Sequence, residues 1–133
     1  MILIRFGEGE SVSVWPGIFH LTRVANTGAA FGLMKNYSRF LTFLTAAAIL
    51  LILFFIRRSL TSSDRNLSGL TMVGWALVLG GAAGNLCDRL YFGHVVDFLD
   101  FRVWPVFNIA DSAICFGVFL IILNIFKTAG AKG

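Results

Sequence analysis

Charge is scarce in this sequence. Lys and Arg number 11 and Asp and Glu 7, so charged residues make up 14% of 133 residues, where a soluble domain carries about 25%. Hydrophobic residues reach 57%, and the mean hydropathy is +0.81. That balance excludes an ordinary soluble domain and implies an integral membrane protein. Cysteine is equally sparse. Cys87 and Cys115 stand far apart, each in or beside an apolar run, which reads as buried free thiols. No metal-ligand spacing is present. No basic patch is interleaved with exposed aromatics, which argues against nucleic acid as a partner. The formal charge of +4 instead marks cytoplasmic loops. No serine with a nearby histidine, and no cysteine–histidine pairing, supports a nucleophilic hydrolase.

What the chain does have is apolar runs. Phe40–Ile56 contains no charge and is stopped by Arg57 and Arg58; its length is at the lower limit for a transmembrane helix. A second span covers about Leu70–Leu86, with Gly80 and Gly84 four apart near its end, a spacing that lets helix backbones approach. A third covers Ile109–Phe126 and is closed by Lys127. Its only charge is Asp111, in the first turn, and Asn108 is placed to cap it just after Trp104-Pro105.

Loop charge orients these spans. Residues 57–69 carry Arg57, Arg58 and Arg65 against Asp64, and the tail after Phe126 carries Lys127 and Lys132. The loop 88–107 carries Arg89 and Arg102 against Asp88, Asp97 and Asp100. The positive segments should be cytoplasmic, which puts Asp97, and Asp111 beside it, at the extracytoplasmic face. Three spans with the C-terminus inside leave residues 1–37 outside, and nothing in them spans a membrane or forms a cleavable signal peptide. The expectation is a further helix upstream of Met1, which an in-frame start codon upstream should encode. Residues 1–37 read as a surface β element: Ser11-Val12-Ser13-Val14-Trp15 alternates as a strand does, Pro16-Gly17 is a turn signal, and Ile18–Val24 forms a second strand. The small residues from Asn26 to Gly32 then lead back to the membrane. The expected organisation is one integral membrane domain, an α-helical bundle with a small extracytoplasmic β element.

Polar residues gather in three places. Asn85, Asp88 and Arg89 share one face of a helix end. By itself this pattern is also what a local Asp–Arg pair at headgroup level produces. Asn108 and Asp111 share a face of the third span, as a capping Asn and an acid favoured by the helix dipole also do. Asp97 and Asp100 flank Phe98-Leu99, and one of them reads equally well as a solvated loop acid. His20 and His94 read as surface or interfacial residues, and Trp15, Trp75 and Trp104 as interface anchors or packing. The topology nevertheless puts Asp88, Asp97 and Asp111 on one face together with Asn26, Asn85 and Asn108. A carboxylate near hydrocarbon costs about 2.5–3.5 kcal/mol on insertion scales, so such acids persist with a partner or a function. Carboxylate chemistry remains, with two acids sharing a proton and activating a water.

At these residues the chain closely resembles bacterial signal peptidase II. The matching stretches are Asn26-Thr27-Gly28-Ala29-Ala30-Phe31, Gly84-Asn85-Leu86-Cys87-Asp88-Arg89, Gly93-His94-Val95-Val96-Asp97-Phe98 and Phe107-Asn108-Ile109-Ala110-Asp111. Four motifs in the right order, covering about Trp15 to Phe126, are specific where a single Asn-Thr-Gly would not be. The resemblance implies an intramembrane aspartic endopeptidase of four transmembrane helices. Asp97 and Asp111 take the positions of its catalytic dyad, with Asn26, Asn85, Asp88, Arg89 and Asn108 as supporting and substrate-meeting residues. It implies prolipoprotein substrates already carrying diacylglycerol, cut just before the lipidated cysteine. It further implies a multi-pass place in the bacterial cytoplasmic (inner) membrane, with membrane lipid as the surroundings, no cofactor or metal, and a monomeric chain. The family's first helix has no counterpart in these residues, in keeping with the topology argument. The competing readings are a truncated, inactive homologue or a small proton-coupled transporter, since intramembrane acids also serve as proton relays.

Overall fold

The computed structural model describes residues 6–28, 38–61 and 68–130. Three helices carry most of them: α1 (Ser38–Thr61), α2 (Gly69–Phe92) and α3 (Ile109–Gly130), of 24, 24 and 22 residues. At about 1.5 Å per residue each exceeds the roughly 30 Å of a hydrocarbon core, and all three are apolar enough to cross a membrane. The helices outrun the expected spans. Arg57 and Arg58 lie inside α1, and Lys127 inside α3, because long basic side chains can reach the headgroups while the backbone stays helical. The second helix runs six residues past the expected Leu86. Gly80, Gly81 and Gly84 do not end it, because hydrocarbon offers the backbone no other partner. The helix stops at Gly93, which adopts φ 78 and donates its N–H to the Arg89 carbonyl at 3.0 Å. Gly93 is thus the C-terminal cap of α2.

The α2–α3 contact is built on small residues. Thr71, Gly74, Val78, Gly81 and Asn85 are buried along α2 at alternating spacings of three and four, a seam down one face. A Cβ on Gly81 would lie 2.4 Å from the Ala110 carbonyl oxygen, and one on Gly117 2.6 Å from that of Gly74. The expected close approach at Gly80 and Gly84 is therefore displaced: Gly80 has open space around it, and Gly84 would make ordinary contact with Ala110. Lipid tails are as apolar as leucine, so packing rather than hydrophobicity joins such helices. In keeping with this, α1 buries only Leu41 and leaves Phe43, Leu50 and Phe54 exposed to the surroundings.

A three-stranded antiparallel sheet, in the order β1 (Ser11–Trp15), β2 (Phe19–Asn26), β3 (Val95–Asp100), is joined to one end of this bundle. The two expected strands are present, and Gly17 turns between them at φ 75. The third follows directly from Gly93 and adds the segment read from sequence as a loop. Its pairing with β2 shifts register between Leu21 and Val24, so that Thr22 and Arg23 stand against Phe98 alone. This irregularity reverses the face that later β2 residues present. Thr22 shares the face of Asp100, whereas Asn26, paired with Val95, shares that of Asp97. After β3 the chain loops out and returns at Phe107, which bridges Leu99, and enters α3. The small-residue stretch from Ala29 to Gly32 and the basic loop's Asp64 and Arg65 lie outside the described residues.

Candidate active site

Asn108 is the junction of the site. It caps α3 with its own side chain: Oδ1 accepts the Asp111 N–H at 3.0 Å, and the Asn108 N–H points back to Asp111 Oδ2 at 3.4 Å, a reciprocal box. Its side-chain amide then has two protons to give. Nδ2 donates to Asp97 Oδ1 at 2.7 Å and to Asn85 Oδ1 at 3.1 Å. Asn85, on the α2 seam, donates its own Nδ2 to Asp111 Oδ1 at 2.8 Å. Asn26 donates to Asp97 Oδ2 at 2.8 Å and accepts the Gly28 N–H at 3.0 Å. Three asparagines from β2, α2 and the α3 cap therefore hold two carboxyl groups from β3 and α3. Asp97 is only 2% exposed. The correction to the sequence reading is that Asp97 rides on a strand, not a loop, and is as firmly held as Asp111.

Burial pushes the Asp97 carboxyl above the ordinary carboxylate range. The amide hydrogen bonds from Asn26 and Asn108 act against that rise, the charge of Asp111 adds to it and the Arg89 guanidinium opposes it, leaving the net direction upward. Arg89 is half-buried beside the pair, and its Nε finds no hydrogen-bond partner among the described residues. Two nearby acids of which one favours the neutral form can share a proton, hold a water and both take and give protons.

The pair faces a cavity of about 640 Å³. Asn26, Asn85, Arg89, Asp97 and Asp111 supply its polar lining, and Phe101, Trp104, Pro105, Val106 and Phe107 form an apolar, largely aromatic wall. Five of the seven residues singled out from sequence thus line one cavity, and Asn108 joins them through its hydrogen bonds to Asn85 and Asp97. Asp88 is not among the lining residues: its Oδ2 accepts the Val96 N–H at 3.1 Å and ties the start of β3 to the end of α2. The aromatic wall was missed as a functional feature, although the run Phe101 to Phe107, standing directly before Asn108, was its signal. Trp104 lines the cavity in addition to its exposure. Asp100, which read as a possible solvated acid, is buried at 6% exposure. The thiols are free as expected but not buried: Cys87 and Cys115 are exposed on the protein surface, and Cys115 lines the cavity. His20 and His94 are half-buried. Among the described residues no group of three or more His, Cys, Asp or Glu is placed to hold a metal ion.

A family model for signal peptidase (SPase) II matches residues 1–127. The chain belongs to the signal peptidase II family. It is 47% identical over 133 residues to a lipoprotein signal peptidase of Moorella thermoacetica, covering 100% of this chain and 85% of that one. It is 43% identical to a lipoprotein signal peptidase of Nostoc punctiforme over 99% of this chain and 82% of that one. Among solved structures, one described as a bacterial membrane enzyme at 2.3 Å resolution superimposes with a TM-score of 0.87 at 31% identity, covering 99% of this chain and 80% of that one. A second, at 1.9 Å, gives 0.79 at 32%, covering 95% and 81%. Signal peptidase II membership and three membrane-spanning helices make this a multi-pass membrane protein.

Proposed function

We propose that this chain is an aspartic endopeptidase of the membrane that removes the signal peptide from diacylglyceryl-modified prolipoproteins, cutting before the lipidated cysteine, with Asp97 and Asp111 as its catalytic pair. One observation carries the reading: two carboxyl groups from different elements are bridged by Asn108 and Asn85 at the wall of a single cavity. One aspartate, ionised, takes a proton from a water held between the two. The other, protonated, hydrogen-bonds the scissile carbonyl. Hydroxide adds to the carbonyl carbon while the protonated aspartate gives its proton to the carbonyl oxygen, forming a tetrahedral diol; the aspartate that took the water's proton then passes it to the leaving nitrogen as the C–N bond breaks, and the other carboxylate recovers a proton from a diol hydroxyl. The upward direction of the Asp97 carboxyl, set by its burial, supports a proton held between the two acids. Asn26, Asn85 and Asn108 orient the carboxyls, Arg89 meets substrate and Asp88 anchors the strand that carries Asp97.

The loop charges support an extracytoplasmic site in the bacterial cytoplasmic membrane, where a monomer meets its lipid-anchored substrate laterally. The transporter and inactive-homologue readings are not favoured. Among the described acids, Glu8 and Glu10 precede the sheet, Asp97 and Asp100 lie in it, and Asp88 and Asp111 lie at the helix ends beside it, so those residues supply no proton path through the bundle, and the relatives are named as peptidases. The test is cleavage of a diacylglyceryl-modified precursor by purified protein. Asp97→Asn and Asp111→Asn should each lower kcat by about a thousandfold, within the range of general acid–base contributions, while the variants still insert in the membrane. Activity retained in either rejects the pair.

A further inference from the structure

The second acid of β3 has no part in that chemistry, yet it is buried and fully engaged. Asp100 Oδ2 accepts the Thr22 hydroxyl at 2.7 Å, and Oδ1 accepts the Arg102 N–H at 2.9 Å. The Arg102 guanidinium lies 3.7 Å from the same carboxylate and donates to Ser11 Oγ at 3.2 Å. Ser11 Oγ and Thr22 Oγ1 are 2.8 Å apart, which closes the ring. Arg102 is also the single described non-glycine residue with positive φ, at 64. The Val103 N–H bonds the Phe101 carbonyl across it at 2.7 Å. An i to i+2 hydrogen bond about a residue of positive φ is the strained form of γ-turn, and a backbone so held persists only where its surroundings over-determine it.

Beyond this turn lies the cavity wall. Phe101 packs on Phe19 with ring centroids 4.9 Å apart and stacks on Phe107 at 6.0 Å. The far end is fixed where Phe107 exchanges backbone hydrogen bonds with Leu99 at 2.8 and 3.1 Å. The loop is thus pinned at both ends, and the turn decides where Trp104, Pro105 and Val106 stand opposite Asp97 and Asp111.

We propose that Asp100 is a positioning residue for substrate binding, its carboxylate locking the turn at Arg102 and so holding the aromatic wall over the cavity. The inference rests on the catalytic reading of Asp97 and Asp111. Asp100 acts on the wall and not on the reacting atoms, so its loss should appear in KM and not in kcat. Steady-state cleavage of a synthetic diacylglyceryl-modified precursor peptide by the full chain in detergent tests this. Asp100→Ala should raise KM about tenfold with kcat within about twofold, the pattern of lost ground-state and transition-state binding alike. Thr22→Val, an exchange on the outer sheet that removes one donor, should raise KM about threefold and decides the matter if Asp100→Ala does not fold. A KM unmoved in Asp100→Ala, or a fall in kcat at constant KM, overturns the proposal. Asp111→Asn in the same assay separates the two readings. If it still cleaves, the pair and this proposal both fall; if it is inactive while Asp100→Ala is normal, this proposal falls alone.

Discussion

Asp97 and Asp100 stand three residues apart on one strand and live in different chemistry. In a strand an odd separation puts two side chains on opposite faces. Asp97 turns toward the helix ends, where amides from Asn26 and Asn108 bond it and burial pushes its carboxyl up. Asp100 turns toward β2. Burial pushes it up as well, but the Thr22 hydroxyl, the Arg102 N–H and the Arg102 charge outweigh that and hold it below the ordinary range. Both acids are almost inaccessible, so burial alone does not distinguish them. The difference lies in the partners: neutral amides leave a carboxyl able to keep its proton, whereas a hydroxyl, a backbone N–H and a guanidinium favour the anion. One end of β3 is suited to moving protons and the other to fixing a loop.

The largest effects should fall on the Asp97 end of the strand. On the proposed reading, Asp97→Asn and Asp111→Asn should each lower kcat by about a thousandfold, whereas Asp100→Ala should leave kcat nearly intact. Equal kcat losses at both ends would erase the distinction. Asn108 comes next, because its side chain serves the α3 cap and both acids at once. Asn108→Ala should lower kcat by about a hundredfold, comparable to the loss of a positioned acid–base interaction, and should cost about 1 kcal/mol for the lost cap. Thermal unfolding in detergent, run beside the cleavage assay, separates the two consequences. Asn108→Asp keeps a capping oxygen but replaces the donor to Asp97 with an acceptor, so it should retain most of the stability and little of the activity.

A smaller effect tests whether the polar end depends on the helix seam beneath it. Gly81 meets the Ala110 carbonyl, one residue before Asp111, and any side chain there must move α3. Gly81→Ala should cost about 1–3 kcal/mol, as overpacking does, and should lower activity by shifting Asp111. Gly80→Ala, one residue away with open space around its Cβ, should be neutral or slightly stabilising, since alanine is the better helix former. Equal behaviour of the two variants would mean that the seam does not position Asp111.

The three spans, their order and the meeting of acids and asparagines at one end were all legible in the sequence. Uncharged runs ended by Arg or Lys are a strong signal, and loop charge told which ends lie together. Asn108 could be read as a cap because Asn three residues before Asp is a local pattern. What could not be read depends on contacts distant in the chain. The third strand exists because Val95–Asp100 pairs with Phe19–Asn26, 69 to 80 positions upstream. The register shift at Thr22 and Arg23, which turns Asn26 toward Asp97, has no local mark at all. The glycine seam was placed at the familiar spacing of four, and the backbone chose Gly74, Gly81 and Gly117, because only helix docking decides which small residues face a neighbour.

The smallest expected effect is the dependence of stability on pH, and it should have opposite sign at the two ends of β3. Asp100 has a folded pKa below its unfolded value of about 3.9. Its folded form therefore binds fewer protons in that window, and its stabilising contribution, complete above the unfolded value, is lost as pH falls through the folded one. Asp97 has a folded pKa above that value. Its folded form binds more protons, so its contribution is complete below about pH 3.9 and is lost as pH rises through the folded pKa. The Tm difference between parent and Asp100→Asn should thus shrink on acidification below pH 4, while the parent's advantage over Asp97→Asn should shrink as the medium is made more alkaline from there. Parallel curves for the two variants would mean that both carboxyls sense burial in the same way, and that the amides and the arginine do not set them apart.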